Sequence, residues 1–567
     1  MKPTRRKTTA AKIVDRRLRL LLLLILIGFG ALFARATWVQ GVRAASLAQL
    51  AQLQQHELVT LPASRGTIYD RMGVQLAIGE QATTVTADPM QIAAPRRVAR
   101  IAARVLGLDA NVLYRQLSDR RRGFVYVERK ADPAKASRLA KQNLVGFYFY
   151  PEERRAYPQD SVAAQLLGYA GVDNHGLAGV ELELDKQLSG HDGRETIVKD
   201  PSGQAIDIVH QVPERPGHDV YLTIDHTIQA NAEQVLRATV ARYHAKAATA
   251  IVLDPTTGGV LAMADVPSYD ANRYPQASPE AQKNRAVTDM YEPGSTFKVV
   301  TVAGALSEHL VTPQTPFTLP YSLQVADRTI HDAEPRGTET MTVAQILAHS
   351  SNVGAITLAE ELGRHRLMQW IERFGFGHST GIDFPGEADG LVLPERDWSG
   401  STIGNVPIGQ GISVTPIQMA SVYAALANHG VWIEPHLVDH VQGERPLALR
   451  RRRIVSGPIA SSLMSMLKGV VLEGTGQSAA IPGYQVAGKT GTAQVPGPHG
   501  YVPGEYIASF VGIVPASRPR LVVLVKVDEP RSAIFGAQVA APAFQQIASA
   551  ALQYLEIPPD APVSSGG

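Results

Sequence analysis

Three short strings in a fixed order constrain this 567-residue chain more than any other feature. They are Ser295-Thr296-Phe297-Lys298, Ser350-Ser351-Asn352 and Lys489-Thr490-Gly491-Thr492. A serine hydroxyl is a weak nucleophile at neutral pH and needs a base within hydrogen-bond reach. At positions i and i+3 of a helix, Ser295 and Lys298 face one spot. Glu292-Pro293-Gly294 just before them reads as a turn that ends in a helix start. The run from Phe297 to Leu306 is apolar nearly all round, as expected of a buried central helix. Burial lowers a lysine pKa, so a neutral Lys298 amine can act as the base.

The other two strings complete a serine-nucleophile site. Ser350 and Asn352 stand in a loop-like stretch after the amphipathic run Val343–Ala348. In such a site the Ser350 hydroxyl passes a proton to the departing amine, and Asn352 holds both the Lys298 amine and the substrate amide. The third string has strand character at Thr490 and Thr492, and Gly491 lets a ligand approach the backbone closely. Lys489 offers positive charge to a substrate carboxylate. The N–H groups of Thr492 and Ser295 pair as an oxyanion hole, one such donor being worth roughly 3–4 kcal/mol in the transition state.

One string alone says little. Ser465-Met466-Leu467-Lys468 also matches S-x-x-K, inside a helix-like run, with no Pro-Gly entry and no S-x-N between it and Lys489. It reads as an ordinary helix with a surface lysine. Taken alone, Ser295 reads equally well as a capping serine beside a solvated lysine. The order of all three strings decides for catalysis.

With these residues the chain resembles the class B penicillin-binding proteins, which are peptidoglycan D,D-transpeptidases, and among them the septal, cell-division branch. Arg65-Gly66-Thr67-Ile68-Tyr69-Asp70-Arg71 is similar to the family's pedestal signature. Gly176-Leu177-Ala178-Gly179-Val180-Glu181 followed by Asp185-Lys186 resembles a second one. Val252-Leu253-Asp254-Pro255 with Gly259–Ala264 is similar to the strand pair that opens the transpeptidase domain, and Gly409-Gln410-Gly411-Ile412 with Thr415-Pro416 to a loop near its active site. The resemblance implies an α+β multidomain chain with a single N-terminal transmembrane helix and a mixed α/β pedestal. Its transpeptidase domain is an antiparallel sheet flanked by helices, serine β-lactamase-like. It implies catalytic Ser295, Lys298, Ser350 and Asn352, with Lys489, Thr490, Gly491 and Thr492 binding substrate. No cofactor and no metal are implied. The partners implied are peptidoglycan stem peptides, β-lactam antibiotics, a membrane-embedded glycan polymerase and other division proteins, with no nucleic acid.

The length suits two substantial cores, and 45% apolar residues is an ordinary globular composition. The net charge of +3 misleads: residues 1–19 contribute +7 and the rest sums to −4. A basic tail on a mildly acidic body argues against a nucleic-acid binder. The expected organisation is a cytoplasmic tail over 1–19, an anchor over 20–40, a pedestal over 41–220, a transpeptidase domain over 221–556 and a disordered tail over 557–567.

Leu20 to Ala34 are fifteen residues without a charge. That also fits the core of a cleaved signal peptide, with Ala34-Arg35-Ala36 as a weak cleavage site. Snorkelling Arg19 and Arg35, an interfacial Trp38 and a helical continuation expected from Leu47 to Leu61 favour an anchor in the bacterial inner membrane. Positive-inside logic places the tail in the cytoplasm and the catalytic domain in the periplasm.

The chain has no cysteine, which excludes thiol chemistry and a disulfide framework. Metal readings fail: His56-Glu57-Leu58-Val59-Thr60 lacks the second histidine of a zinc-protease helix. His349 beside Ser350 reads as structural or exposed. The basic helix over Arg96–Leu106 reads as a solvated face ahead of a lipid or partner contact. Besides the enzyme, two readings remain at this point: a β-lactam-acylated sensor, and a division scaffold whose transpeptidase domain is a relic.

Overall fold

The computed structural model describes residues 9–47, 49, 56–199, 205–498 and 500–562. The chain divides into two units, residues 1–63 with 191–215, and residues 64–190 with 216–567.

In the first unit, helix α1 (Thr9–Thr37) runs into a π-helical turn over Trp38–Val42. The stretch Arg16–Val42 contains an 18-residue window of mean hydropathy 2.3, with none of it buried. Among the described residues it is the one helix long and apolar enough to cross a membrane. It therefore fits a single-pass anchor. The helical continuation expected up to Leu61 is corrected. His56–Leu61 is a strand, paired antiparallel with Gly193–Lys199, and Ala205–Val212 completes a three-stranded sheet. β-Branched Thr60 suits that pairing.

In the second unit, the two pedestal signatures meet in one buried cluster. Arg65 Nε donates to Glu181 Oε2 at 2.7 Å, and Arg155 Nε to Glu181 Oε1 at 2.6 Å. Arg65 Nη1 reaches Asp185 at 2.7 Å, and Tyr157 Oη donates to Glu181. Ile68–Tyr69 lies parallel to Val220–Leu222, which pairs in turn with Val438–Val441. Strands Gln75–Ala87, Val125–Ala131 and Phe147–Ala156, with helices α2 (Pro95–Leu106) and α3 (Ala110–Ser118), build a lobe with a separate core around Val85, Leu106, Leu117 and Leu139.

The larger core is organised by a five-stranded antiparallel sheet. Its strands are β1 (Ala247–Leu253), β2 (Val260–Val266), β3 (Ala487–Gly497), β4 (Gly500–Val514) and β5 (Leu521–Asp528), in the order β2-β1-β5-β4-β3. The apolar runs are continuous because both faces are covered. Val523 and Val525 join Phe510 and Phe544 on one side, and Val522 and Leu524 join Val511 and Tyr423 on the other. Helices α4 (His226–Tyr243), α5 (Lys298–Ser307), α6 (Val343–Ala348), α7 (Asn352–Leu362), α8 (Pro416–Ala427), α9 (Gly457–Leu472) and α10 (Gly536–Tyr554) flank it. The expectation of a disordered tail from residue 557 is corrected for residues 557–560. Ile557 is buried, and Asp560 accepts hydrogen bonds from the Gln485 and Ser517 amides. Residues 563–567 lie outside the described residues.

Candidate active site

The strings expected to meet do meet, with three differences in local structure. Ser295 lies in a 3-10 turn, Gly294–Phe297, and α5 begins only at Lys298. A 3-10 turn eclipses residues i and i+3, so serine and lysine still stand one above the other. Asn352 is not in a loop but opens α7, because Ser351 accepts from the Gly354 amide at 2.9 Å as its N-cap. Ser350 is held between the two helices at φ 60°, in the left-handed region.

Lys298 is fully buried on a helix whose other residues are apolar or small. Its Nζ donates to Asn352 Oδ1 at 2.7 Å, to Ser350 Oγ at 3.3 Å and to the Ser350 carbonyl. Among the described residues no hydrogen bond joins it to Ser295. Burial lowers the Lys298 pKa to about 7, and the Asp332 carboxylate opposes this only in part. The Asn352 amide also donates to the His331 carbonyl at 2.8 Å, which fixes the side-chain oxygen toward Lys298.

The Lys489 string lies on β3, the edge strand, as its position ahead of the paired strands suggested. Lys489 itself is not an open cation. It is fully buried, with Nζ 3.3 Å from Thr490 O and Thr490 Oγ1. Desolvation first, and the Lys298 ammonium second, hold its pKa well below the usual lysine value. On the same strand the buried Thr490 and the half-buried Thr492 carry hydroxyls.

Gly491 makes room for protein rather than for a ligand. A Cβ there would lie 2.3 Å from Ser509 Oγ and 2.9 Å from the Pro293 carbonyl. Gly294, at φ 55°, makes the reciprocal approach: a Cβ would lie 2.8 Å from Thr492 O and 3.4 Å from Thr492 N. The backbone of Thr492 is thus pressed against the turn that carries Ser295, as an oxyanion pair between them requires.

Several residues that hold this geometry carry no sequence signature. Asp332 accepts from Ser351 Oγ and from the amides of Asn352 and Val353, and is itself held by Arg336 at 2.6 Å. Glu292, just before the Ser295 turn, accepts from the Gly411 amide at 2.8 Å and from Tyr501 Oη at 2.9 Å. Burial raises its pKa. Thr475 Oγ1 lies 2.8 Å from Thr490 Oγ1, and Tyr423 Oη donates to the Thr296 carbonyl at 2.9 Å. Apart from Arg336, four residues from Asp332, their partners lie 15 to 209 residues away, and no local pattern announces such pairs. The decoy behaves as an ordinary helix: Ser465 is exposed on α9, and half-buried Lys468 donates to Gln485 Oε1 at 3.3 Å. His349 is exposed.

Known proteins resemble this chain along nearly its whole length. The Penicillin binding protein transpeptidase domain matches residues 248–549, and the Penicillin-binding Protein dimerisation domain matches residues 60–222. The chain is 32% identical over 566 residues to the peptidoglycan D,D-transpeptidase FtsI of Escherichia coli K12, covering 98% of this chain and 95% of the relative. It is 33% identical over 562 residues to stage V sporulation protein D of Bacillus subtilis, covering 96% and 87%. Its fold is similar to that of penicillin binding protein 3 from Mycobacterium tuberculosis, solved in complex with aztreonam. That likeness has a TM-score of 0.70 at 30% identity over 89% of this chain and 99% of the other. The chain belongs to the class B penicillin-binding proteins, with a dimerisation domain followed by a serine-type transpeptidase domain.

Proposed function

We propose that the chain cross-links peptidoglycan stem peptides at the division septum through an acyl-Ser295 intermediate, and that β-lactams acylate the same serine. The observation that carries this reading is the Lys298 amine. It is fully buried, poised near neutrality and held by Asn352 and Ser350 beside the serine turn. A base is most effective when its pKa lies near the working pH.

Lys298 takes the Ser295 proton as Oγ attacks the carbonyl of the penultimate D-Ala. The oxyanion rests on the N–H groups of Ser295 and Thr492. As the C–N bond breaks, Ser350 hands the proton from Lys298 to the departing D-Ala amine. The amine of a second stem then attacks the ester and gives up its proton along the same path, which frees Ser295. Catalytic hydrogen bonds often tighten only once substrate is bound, which accommodates the present orientation of Lys298 toward Asn352.

In this reading residues 1–19 stay in the cytoplasm and the catalytic domain faces the periplasm. Glycan polymerisation comes from a membrane-embedded partner, because the sequence carries no string for it. The septal assignment follows the division transpeptidase of Escherichia coli, to which the chain is similar along nearly its whole length. It is tested with Asn352→Ala in the native host. The variant should reach midcell and fail to support septal cross-linking. Full division by a variant that no longer acylates penicillin would make the chain a scaffold.

A further inference from the structure

Residues 88–150 hold thirteen Lys/Arg and five Asp/Glu, a net of +8 in a chain whose total is +3. With the +7 of residues 1–19 set aside as well, the remainder carries −12. One lobe of the dimerisation domain is therefore strongly cationic on an acidic body.

The charge is concentrated on α2. Ala99, Ala102, Ala103 and Leu106 bury one side, and Arg96, Arg97, Arg100 and Arg104 are all exposed. Arg96, Arg100 and Arg104 recur every four residues, so like charges stack and repel along one stripe. Arg96 and Arg97 also occupy the first turn, where the helix dipole is already positive. Among the described residues none of the four has an acidic partner. A merely solvated face would gain from interspersed acids; this stripe has none.

Beside the stripe, α2 and α3 enclose an open cleft of about 420 Å³ lined by Arg96, Arg100, Ala110, Asn111 and Tyr114. The Arg96 guanidinium lies over the Tyr114 ring, 5.6 Å from its centroid. Two guanidinium groups match carboxylates in a planar, forked geometry, and an aromatic face with an amide beside it suits a sugar or peptide unit. We infer that this cleft binds the peptidoglycan strand through the free carboxylates of its stem peptides, at a site separate from Ser295. The inference rests on the proposed substrate. The strand is a repeating polyanion, and the net +8 of this lobe complements it. An acidic protein segment is the weaker fit, because protein partners need buried apolar anchors and the lining offers only Ala110 and Tyr114.

The test uses the full-length, detergent-solubilised chain and fluorescent, uncross-linked peptidoglycan strands, read by anisotropy at several salt concentrations. The wild type should bind with an affinity that falls steeply with salt, and the double variant Arg96→Ser/Arg100→Ser should bind at least ten-fold more weakly. Strands whose carboxylates have been converted to amides should bind the wild type as weakly, a result that needs no variant to fold. Ser295→Ala should bind strands normally. Unchanged binding by the double variant or by amidated strands overturns the proposal, and so does loss of binding in Ser295→Ala. Displacement of strands by polyglutamate at equal charge concentration would assign the cleft to an acidic protein instead. Absence of penicillin labelling at Ser295 would sink the acyl-transfer reading and leave the strand-binding result standing.

Discussion

Lys298 and Asn352 carry the chemistry at the scale of single residues. A lysine lowered to about 7 is mostly protonated below that pH and cannot accept the Ser295 proton. The acylation rate should therefore rise about ten-fold per unit as pH climbs toward 7, then level off. Stopped-flow acylation between pH 5 and 9 checks this, and a rising limb centred near 10 would contradict it. Lys298→Arg should fold yet acylate about a hundred-fold more slowly or worse, since a guanidinium does not release its proton near neutrality. Asn352→Ala removes the 2.7 Å bond that orients the amine. Losing about 1–3 kcal/mol of transition-state stabilisation, it should acylate roughly ten- to hundred-fold more slowly.

At the scale of elements, the buried Arg65–Glu181–Arg155 cluster ties together two pedestal signatures 116 residues apart. Glu181→Ala would leave the buried Arg155 guanidinium without its anion and Arg65 with Asp185 alone, a loss worth about 3–5 kcal/mol. Chemical denaturation should show that fall in a pedestal transition, and a change below about 1 kcal/mol would mean the cluster is dispensable. The edge position of β3 and the pairing of β4 with β5 followed from apolar runs around Pro515-Ala516-Ser517-Arg518-Pro519. The strand at His56–Leu61 did not, because its partners lie near residue 195 and its pattern passes equally for a helix. Nor did the burial of Lys489 or the clamp at Asp332. A lysine on a predicted edge strand looks solvated, and an aspartate that caps a turn twenty residues away leaves no periodic trace.

At the scale of the whole molecule, one apolar helix with no buried residue separates a basic tail from the folded units. The mature protein in native membranes should retain residues 1–19 and resist extraction by high salt. Release by salt, or an N-terminus mapped beyond Ala36, would replace the anchor with a cleaved leader.

Two serines, Ser295 and Ser465, stand in S-x-x-K strings, and only one of them can be the nucleophile. Labelling the membrane-bound chain with fluorescent penicillin decides between them most directly. Ser295→Ala should abolish the covalent label and Ser465→Ala should leave it at the wild-type level. A folded Ser295→Ala protein that still labels, or a folded Ser465→Ala protein that does not, would contradict the site built here.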